Sequence, residues 1–565
     1  MSAARVALRE RFGLEAFRPY QEEALRAVLE GRDVVLTLPT GHGKSLVYQL
    51  PAVVLEGLTL VVSPLIALME DQVAALQARG LRAAALHSLQ EGRVRAATLD
   101  KARAGAFDLL YVTPERFRVE AFVAAIADLG VVRLVVDEAH CIAAWGHDFR
   151  PDYSRLGEYR RLLGDVPTLA STATATLRVV DEIVTSLRLS NPHIVRAGIE
   201  RPELFFAVRE VEDREQRIEA LVERCRSIDG PGIVYTALIK DLEELHVEFA
   251  RRGLETLVYH GKLGADERRA MQERFTKSER SVVLATNAFG MGIDKSDIRF
   301  VLHAQIPRTL EAWTQEVGRA GRDGAPSLCE LYYFEEDLAI QQSFVDWANP
   351  SLEYLLLVYE TLHSWGERVQ TKDLDDLRSE LLVKNRHDNR VAICLRWLEV
   401  LGAVEGSFEQ HDLRVVRDFD ARELPAWLAT GEKRDHDLRA LLEMLRFAKQ
   451  RDRCRRVVLA EHFGLAREET LESQFPCGRC DVCASTEDFV RTTFSERASA
   501  LVEARDEDAR FARGDWVVVD GRHRGQVLRV EGRGRRLRLL VQDARDLETR
   551  LVDPRRQRVR RLDEA

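Results

Sequence analysis

The octapeptide LPTGHGKS, Leu38 to Ser45, constrains this chain more than any other stretch. It follows the apolar run DVVLTL and precedes LVYQLPAVVL, the pattern of a strand, a tight loop and a helix. Gly41 and Gly43 let backbone N–H groups close around phosphate oxygens, and Lys44 brings a positive charge to the β- and γ-phosphates. The Ser45 hydroxyl is a ligand for Mg²⁺, and Thr40 is grouped with the same nucleotide contacts. Leu38 stands where the simplest phosphate-loop pattern has glycine, so the loop is a variant. The fold class that follows is α/β, with a nucleotide at the end of a sheet.

A second segment, VVRLVVDEAHC, supplies the carboxylates such a loop needs. A continuous apolar run ending in Asp137 predicts a central buried strand whose C-terminal end faces the nucleotide. Asp137 is placed to hold Mg²⁺, and Glu138 to orient and deprotonate the attacking water. Further on come VVLATNAFGMGID, Val282 to Asp294, and QEVGRAGRDG, Gln315 to Gly324. Arg319 and Arg322 are three residues apart, which predicts one side of a helix, and both are expected to reach a γ-phosphate from another domain.

At 565 residues the chain has room for several domains, and 45% hydrophobic with 31% charged residues is ordinary for a globular protein. The formal net charge of −9 excludes a chain that is basic throughout but not a basic groove. The start, MSAARVALRERF, lacks the apolar core of a signal peptide. The most apolar window, Leu46 to Leu68, is broken by Pro51, Glu56, Gly57 and Pro64. A cytoplasmic protein without a membrane span is expected.

Eight cysteines are too few for a disulfide scaffold of this size. Cys141, Cys225, Cys329 and Cys394 are scattered and read as small buried hydrophobes. Cys454 and the run CGRCDVC, with Cys477, Cys480 and Cys483, offer four thiolates that can close a tetrahedral shell around Zn²⁺. The rival reading is an iron–sulfur cluster, because cysteines at two-residue intervals also occur in that ligation.

Taken together, FRPYQEEAL, VVSPLIALMEDQV, YVTPER, DEAHCIAAWGHDFRPDY, STATAT, ATNAFGMGIDKSDIRFVLH and QEVGRAGRDG resemble the superfamily 2 helicases, and within them the RecQ family. These motifs run from about Phe12 to Phe334. The resemblance implies two tandem RecA-like domains with ATP in the cleft between them, moving 3′ to 5′ along one DNA strand. It implies that Gln21 reads adenine, that Arg18 is a neighbouring nucleotide contact, that Gly292 and Asp294 belong to the nucleotide site and that Gln315 joins the catalytic set. Leu14 stands where many relatives stack an aromatic on adenine. It also implies that Trp145, Phe149 and Arg150 form an aromatic-rich segment that touches single-stranded DNA and reports it to the ATP site. Physically, aromatic faces stack on any base while arginine holds phosphate. The cysteine pattern resembles the family's zinc domain, with the first cysteine on a helix and the others on a loop.

The rest departs from the usual RecQ order. Domains are expected at 1–198 and 199–345 (RecA-like), 350–420 (winged-helix-like), 432–486 (zinc-binding) and 511–562, a small basic β-barrel similar to KOW or SH3-like modules. No helical domain like the one that ends many RecQ proteins is read. In the winged helix, Phe408 in the turn EGSFEQHD is a candidate strand-separating wedge or a core-packed ring. The expected activity is an ATP- and Mg²⁺-dependent 3′ to 5′ DNA helicase, with zinc as a structural metal and single-stranded and forked DNA as partners. An RNA-directed helicase, a duplex translocase and an ATP-switched annealing or scaffold protein stay open as alternatives.

Overall fold

A computed structural model of the chain describes all residues except 40, 144–149, 198–200, 290–294, 384–387, 409–410, 420–421, 423–429, 466–475, 495–510, 512–513, 521–522, 532–537, 554–556, 558 and 563–565. The first sheet contains β1 (Val34–Thr37), β2 (Leu58–Val62), β3 (Ala83–Leu86), β4 (Leu109–Val112), β5 (Val131–Asp137), β6 (Thr168–Thr172) and β7 (His193–Arg196). Its order is β3-β4-β2-β5-β6-β1-β7, and every pairing is parallel. Helices cover both faces, so the strands are apolar without alternation: β1, β2 and β4 are buried along their whole length. The strand that ends in Asp137 lies in the middle of this sheet, as its apolar run predicts.

The second sheet contains β8 (Leu204–Glu210), β9 (Gly232–Tyr235), β10 (Thr256–Tyr259), β11 (Val282–Ala285), β12 (Phe300–His303) and β13 (Ser327–Tyr333). It is parallel throughout, in the order β10-β11-β9-β12-β13-β8. These two sheets with their helices are the RecA-like pair.

Three helices, Leu352–Trp365, Leu374–Glu380 and Arg390–Val400, then precede a short antiparallel hairpin of β14 (Val404–Glu405) and β15 (Arg414–Val415). They close around Val358, Leu362, Val391, Cys394 and Leu398, three helices and a short hairpin in a winged-helix-like arrangement. The helices Glu432–Lys449 and Arg455–His462 follow. They share one core with the second sheet, where Trp313 stacks between Phe206 and Phe447 with ring centroids 5.0 and 4.9 Å away.

The C-terminal residues belong to a separate compact unit. Its strands β16 (Trp516–Val519), β17 (His523–Glu531), β18 (Arg538–Asp543), β19 (Thr549–Val552) and β20 (Val559–Arg561) pair antiparallel in the order β19-β18-β17-β16-β20. Val517, Val527, Leu539 and Val541 form its core, the inward half of the alternating pattern. Among the described residues no helix is long and apolar enough to cross a membrane.

Candidate nucleotide, nucleic-acid and metal sites

The phosphate loop leaves β1 and enters the helix Leu46–Val54. Gly41 and Gly43 have φ of +83° and +73°, where an L side chain is strained. Space demands glycine too: a Cβ on Gly43 would lie 2.5 Å from Gln21 Nε2. Gln21 donates from Nε2 to the carbonyls of His42 (3.0 Å) and Gly43 (3.2 Å), and its Oε1 accepts from the Arg18 amide at 3.0 Å. The Arg18 guanidinium donates to the Gly41 carbonyl at 3.1 Å. Both residues therefore brace the loop through its carbonyls, at the place where a nucleotide contact was expected. Thr40 lies outside the described residues.

At the end of β5, Asp137 is buried and its Oδ1 accepts from Ser171 Oγ at 2.8 Å. Burial, reinforced by the neighbouring Glu138, pushes its pKa up to about 6, against the opposing pull of Lys44 and Ser171. A buried carboxylate with too little positive charge around it is a site that gains from a cation. The Asp137 carboxylate is a hard oxygen donor of the kind that Mg²⁺ takes. Glu138 adopts a left-handed φ of +49°, a conformation costing a non-glycine residue roughly 1–3 kcal/mol. That turn points its carboxylate back into the site, with Oε1 3.9 Å from Lys44 Nζ and Oε2 3.4 Å from His140 Nδ1. His140 Nδ1 is also 2.9 Å from Thr172 Oγ1. Ser171 and Thr172 lie in STATAT, so this motif is wired to both carboxylates; its hydroxyls were the signal that sequence reasoning left unassigned.

One sequence expectation needs correction. Arg319 and Arg322 do not share a helical side, because the helix Leu310–Val317 ends before them and Gly318 and Gly321 turn the chain, the latter at φ +61°. Arg322 reaches the phosphate loop: a Cβ on Gly41 would meet its Cγ at 3.1 Å and its Cδ at 3.3 Å. Arg319 is buried instead beside Tyr235, whose hydroxyl burial pushes up to about 12 against the arginine's attraction. Gln315 and Arg319 line a cavity of about 560 Å³, and Arg150 reaches it from the first domain. Gly292 and Asp294 lie outside the described residues.

Of the aromatic-rich segment, Trp145 and Phe149 also lie outside the described residues. Arg150 is described: its amide donates to the Cys141 carbonyl at 2.9 Å and its guanidinium to the Pro64 carbonyl at 3.3 Å. Phe408 does not stand free at a hairpin tip. Its ring is half-buried against the winged-helix core, because the wing has only two residues in each strand and its turn folds back.

The four clustered cysteines meet, with every Sγ within 4.8 Å of the others. A tetrahedral ion with Zn–S bonds of about 2.3 Å separates its sulfurs by about 3.8 Å. Cys477 to Cys480 is 3.7 Å and Cys480 to Cys454 is 3.9 Å, so the shell fits one ion and leaves no room for a cluster of iron and sulfide between the ligands. Cys454 sits immediately before the helix Arg455–His462, as its N-cap. The loop is held on the edge of the second sheet. Phe206 of β8 donates to the Arg479 carbonyl at 3.1 Å and accepts from the Asp481 amide at 2.9 Å. The fully buried Arg455 grips Asp481 at 2.6 and 2.8 Å.

Comparison with known proteins agrees with this geometry. The DEAD/DEAH box helicase family matches residues 18–183, the helicase conserved C-terminal domain residues 214–324, and the RecQ zinc-binding family residues 411–484. The probable ATP-dependent DNA helicase RecS of Bacillus subtilis (strain 168) is 39% identical over 375 residues, which are 66% of this chain and 74% of that protein. The chain belongs to the RecQ family. The ATP-dependent DNA helicase RecQ of the same organism is 44% identical over 337 residues, 59% of this chain, but the match spans 57% of that relative's length. A crystal structure of the helicase MrfA, bound to DNA and AMPPNP, shares the fold with a TM-score of 0.50 at 18% identity, covering 60% of this chain and 52% of that one. The zinc match confirms Zn²⁺ as the metal of the cysteine shell.

Proposed function

We propose that this RecQ-family chain is an ATP-dependent DNA helicase that moves 3′ to 5′ along single-stranded DNA and parts the duplex ahead of it, in DNA repair and recombination. The observation that carries the reading is the position of Arg322. It comes from the second RecA-like domain and lies against Gly41 of the phosphate loop on the first, three residues before Lys44. A site completed only across a cleft links hydrolysis to the relative position of two domains, which is what a motor needs.

In this reading Lys44 and the loop amides hold the β- and γ-phosphates, and Ser45 with Asp137 would hold Mg²⁺, which would supply positive charge to the phosphates. Glu138, turned inward by its left-handed backbone, orients the attacking water and takes its proton. Arg322 stabilises charge developing on the transferred phosphoryl group, with Arg319 and Gln315 beside the same cleft. Gly292 and Asp294 complete the nucleotide contacts, and Arg150, Trp145 and Phe149 report DNA to Glu138 through the short stretch of chain that joins them.

The test is strand separation on duplexes with a 3′ tail, a 5′ tail or a fork, in DNA and in RNA, with ATP and Mg²⁺. The expected result is unwinding of 3′-tailed and forked DNA and of neither 5′-tailed DNA nor RNA. Hydrolysis stimulated by DNA without separation of any duplex refutes the helicase reading in favour of an ATP-switched binding protein.

A further inference from the structure

The lining of the cavity of about 560 Å³ extends well beyond Gln315 and Arg319. Besides Gln315 and Arg319, its lining includes Phe344 and Trp347 of the helix Leu338–Ala348 and Asn389 and Ile393 at the start of the winged helix's third helix. Those elements lie outside every motif that carries the ATP chemistry. Phe344 and Trp347 are three residues apart on one helical face, both half-buried, with ring centroids 5.6 Å apart and planes tilted by 58°. Their charged neighbours along the lining are Arg150, Arg308 and Arg319 against a single carboxylate, Glu316, which His303 Nε2 already engages at 2.7 Å. A cavity of this size, with aromatic faces on one side and cationic groups around it, has the chemistry of a site for one aromatic, negatively charged unit.

A clasp ties two of the lining segments together. Arg118 of the first domain donates to both oxygens of Asp152, at 2.5 and 2.9 Å, and also to Glu399 in the winged helix's third helix. Asp152 is two residues beyond Arg150, and Asn389 begins the helix that carries Glu399. The single guanidinium thus ties the segment that carries Arg150 to the helix that carries Ile393.

We infer that this cavity holds one nucleotide of single-stranded DNA, its base on Trp347 and Phe344 and its phosphate toward Arg150 and Arg308, and that the winged-helix insertion exists in part to wall it. The inference rests on the proposed function and adds a DNA subsite to it. Arg118 is a positioning residue, acting through Asp152 and Glu399.

The measurement is fluorescence anisotropy of a labelled oligothymidylate on the full chain. Replacing Trp347 with alanine is expected to raise Kd about five- to a hundredfold, the equivalent of stacking one base, and Trp347→Phe to restore most of the affinity. Arg118→Ala is expected to raise Kd less, and to add little in the Trp347→Ala background because both act on one site. If Trp347→Ala does not fold, Asn389→Asp puts a negative charge at the exposed rim without removing packing, and Kd must still rise. Unaltered Kd in a folded Trp347 or Asn389 variant, with the parent protein binding normally, overturns the subsite and leaves the helicase reading standing. A parent protein that binds no oligothymidylate overturns both, and equal effects on an oligouridylate with tighter parental binding would assign the pocket to RNA instead.

Discussion

His462 is a charge-dependent bolt between the zinc module and the segment that leads to Arg319 and Arg322. It ends the helix Arg455–His462, and its Nε2 lies 2.7 Å from Glu311 Oε1 in the first turn of the helix Leu310–Val317. Its Nδ1 lies 3.1 Å from Glu443 Oε2 on the helix Glu432–Lys449. Burial alone would lower the imidazole's pKa. The hydrogen bonds to Glu311 and Glu443, with their Coulombic attraction, outweigh it and raise the value to about 9 from the ordinary 6.5. Because the folded value is the higher one, the stabilisation is fully present below pH 6.5 and is lost as pH rises through about 9.

A rise of that size corresponds to about 3 kcal/mol at most, of which about 2 kcal/mol remains at pH 7.5. The side chain is only 12% exposed, so screening trims this mainly through the more open Glu443. Unfolding of a multidomain chain is not one transition, so the assay is hydrogen exchange of the two helices that the imidazole joins. After correction for intrinsic exchange, protection in the parent protein should fall between pH 7.5 and 10. His462→Gln should lower protection about thirtyfold at pH 7.5 and abolish that further pH dependence. A variant that loses the same protection at pH 7.5 and at pH 10 would show that packing, and not the imidazolium, makes the joint.

Three further outcomes follow from the sites. Lys44→Ala removes the phosphate charge and Glu138→Gln the base while keeping shape; each should lower ATP turnover at least about a hundredfold, and near-normal turnover in either would break the site assignment. Asp137 is protonated below about pH 6, so the Mg²⁺ concentration needed for half-maximal hydrolysis should climb as pH drops through that value, and a flat requirement from pH 5 to 8 would contradict it. Cys480→Ser opens the metal shell, so metal analysis should find zinc in the parent and little in the variant, with a lower Tm, since structural zinc binding is coupled to folding.

What could be read from the sequence is what depends on local constellations. LPTGHGKS, VVRLVVDEAHC and CGRCDVC each place their chemistry within a few residues of one strand end or one loop, so their spacing carries the geometry. The helical reading of Arg319 and Arg322 failed because two glycines between and before them override a spacing that, in isolation, fits a helix. Phe408 could not be placed from its turn signal, since whether a ring projects or packs depends on how many residues the wing provides. Arg118 and Glu399 are separated by 281 positions, and nothing in either neighbourhood marks a partner. Phe344 and Trp347 look like an ordinary apolar stripe in IQQSFVDWA; only the fold shows that one side of it faces a cavity.

The unusual order of accessory parts has a physical reason in the way the chain leaves and rejoins the core. Asn349, just after the helix Leu338–Ala348, donates from Nδ2 to Asp437 Oδ2 at 2.8 Å, and Lys433 Nζ meets the same oxygen at 2.8 Å. Arg434 binds Asp346 at 2.9 and 3.0 Å. The end of one helix is therefore bonded to the first turns of the helix Glu432–Lys449, although the winged helix lies between them in sequence. An insertion whose two ends are held side by side costs the core little, because closing a longer surface loop adds only slowly to the entropy lost. The zinc module needs the edge of β8 and the face carrying Trp313, and both remain open to it whatever lies in the detour. A winged helix placed before the zinc is thus compatible with the same motor and the same metal anchor, and its position brings Glu399 of its third helix to Arg118 of the first domain.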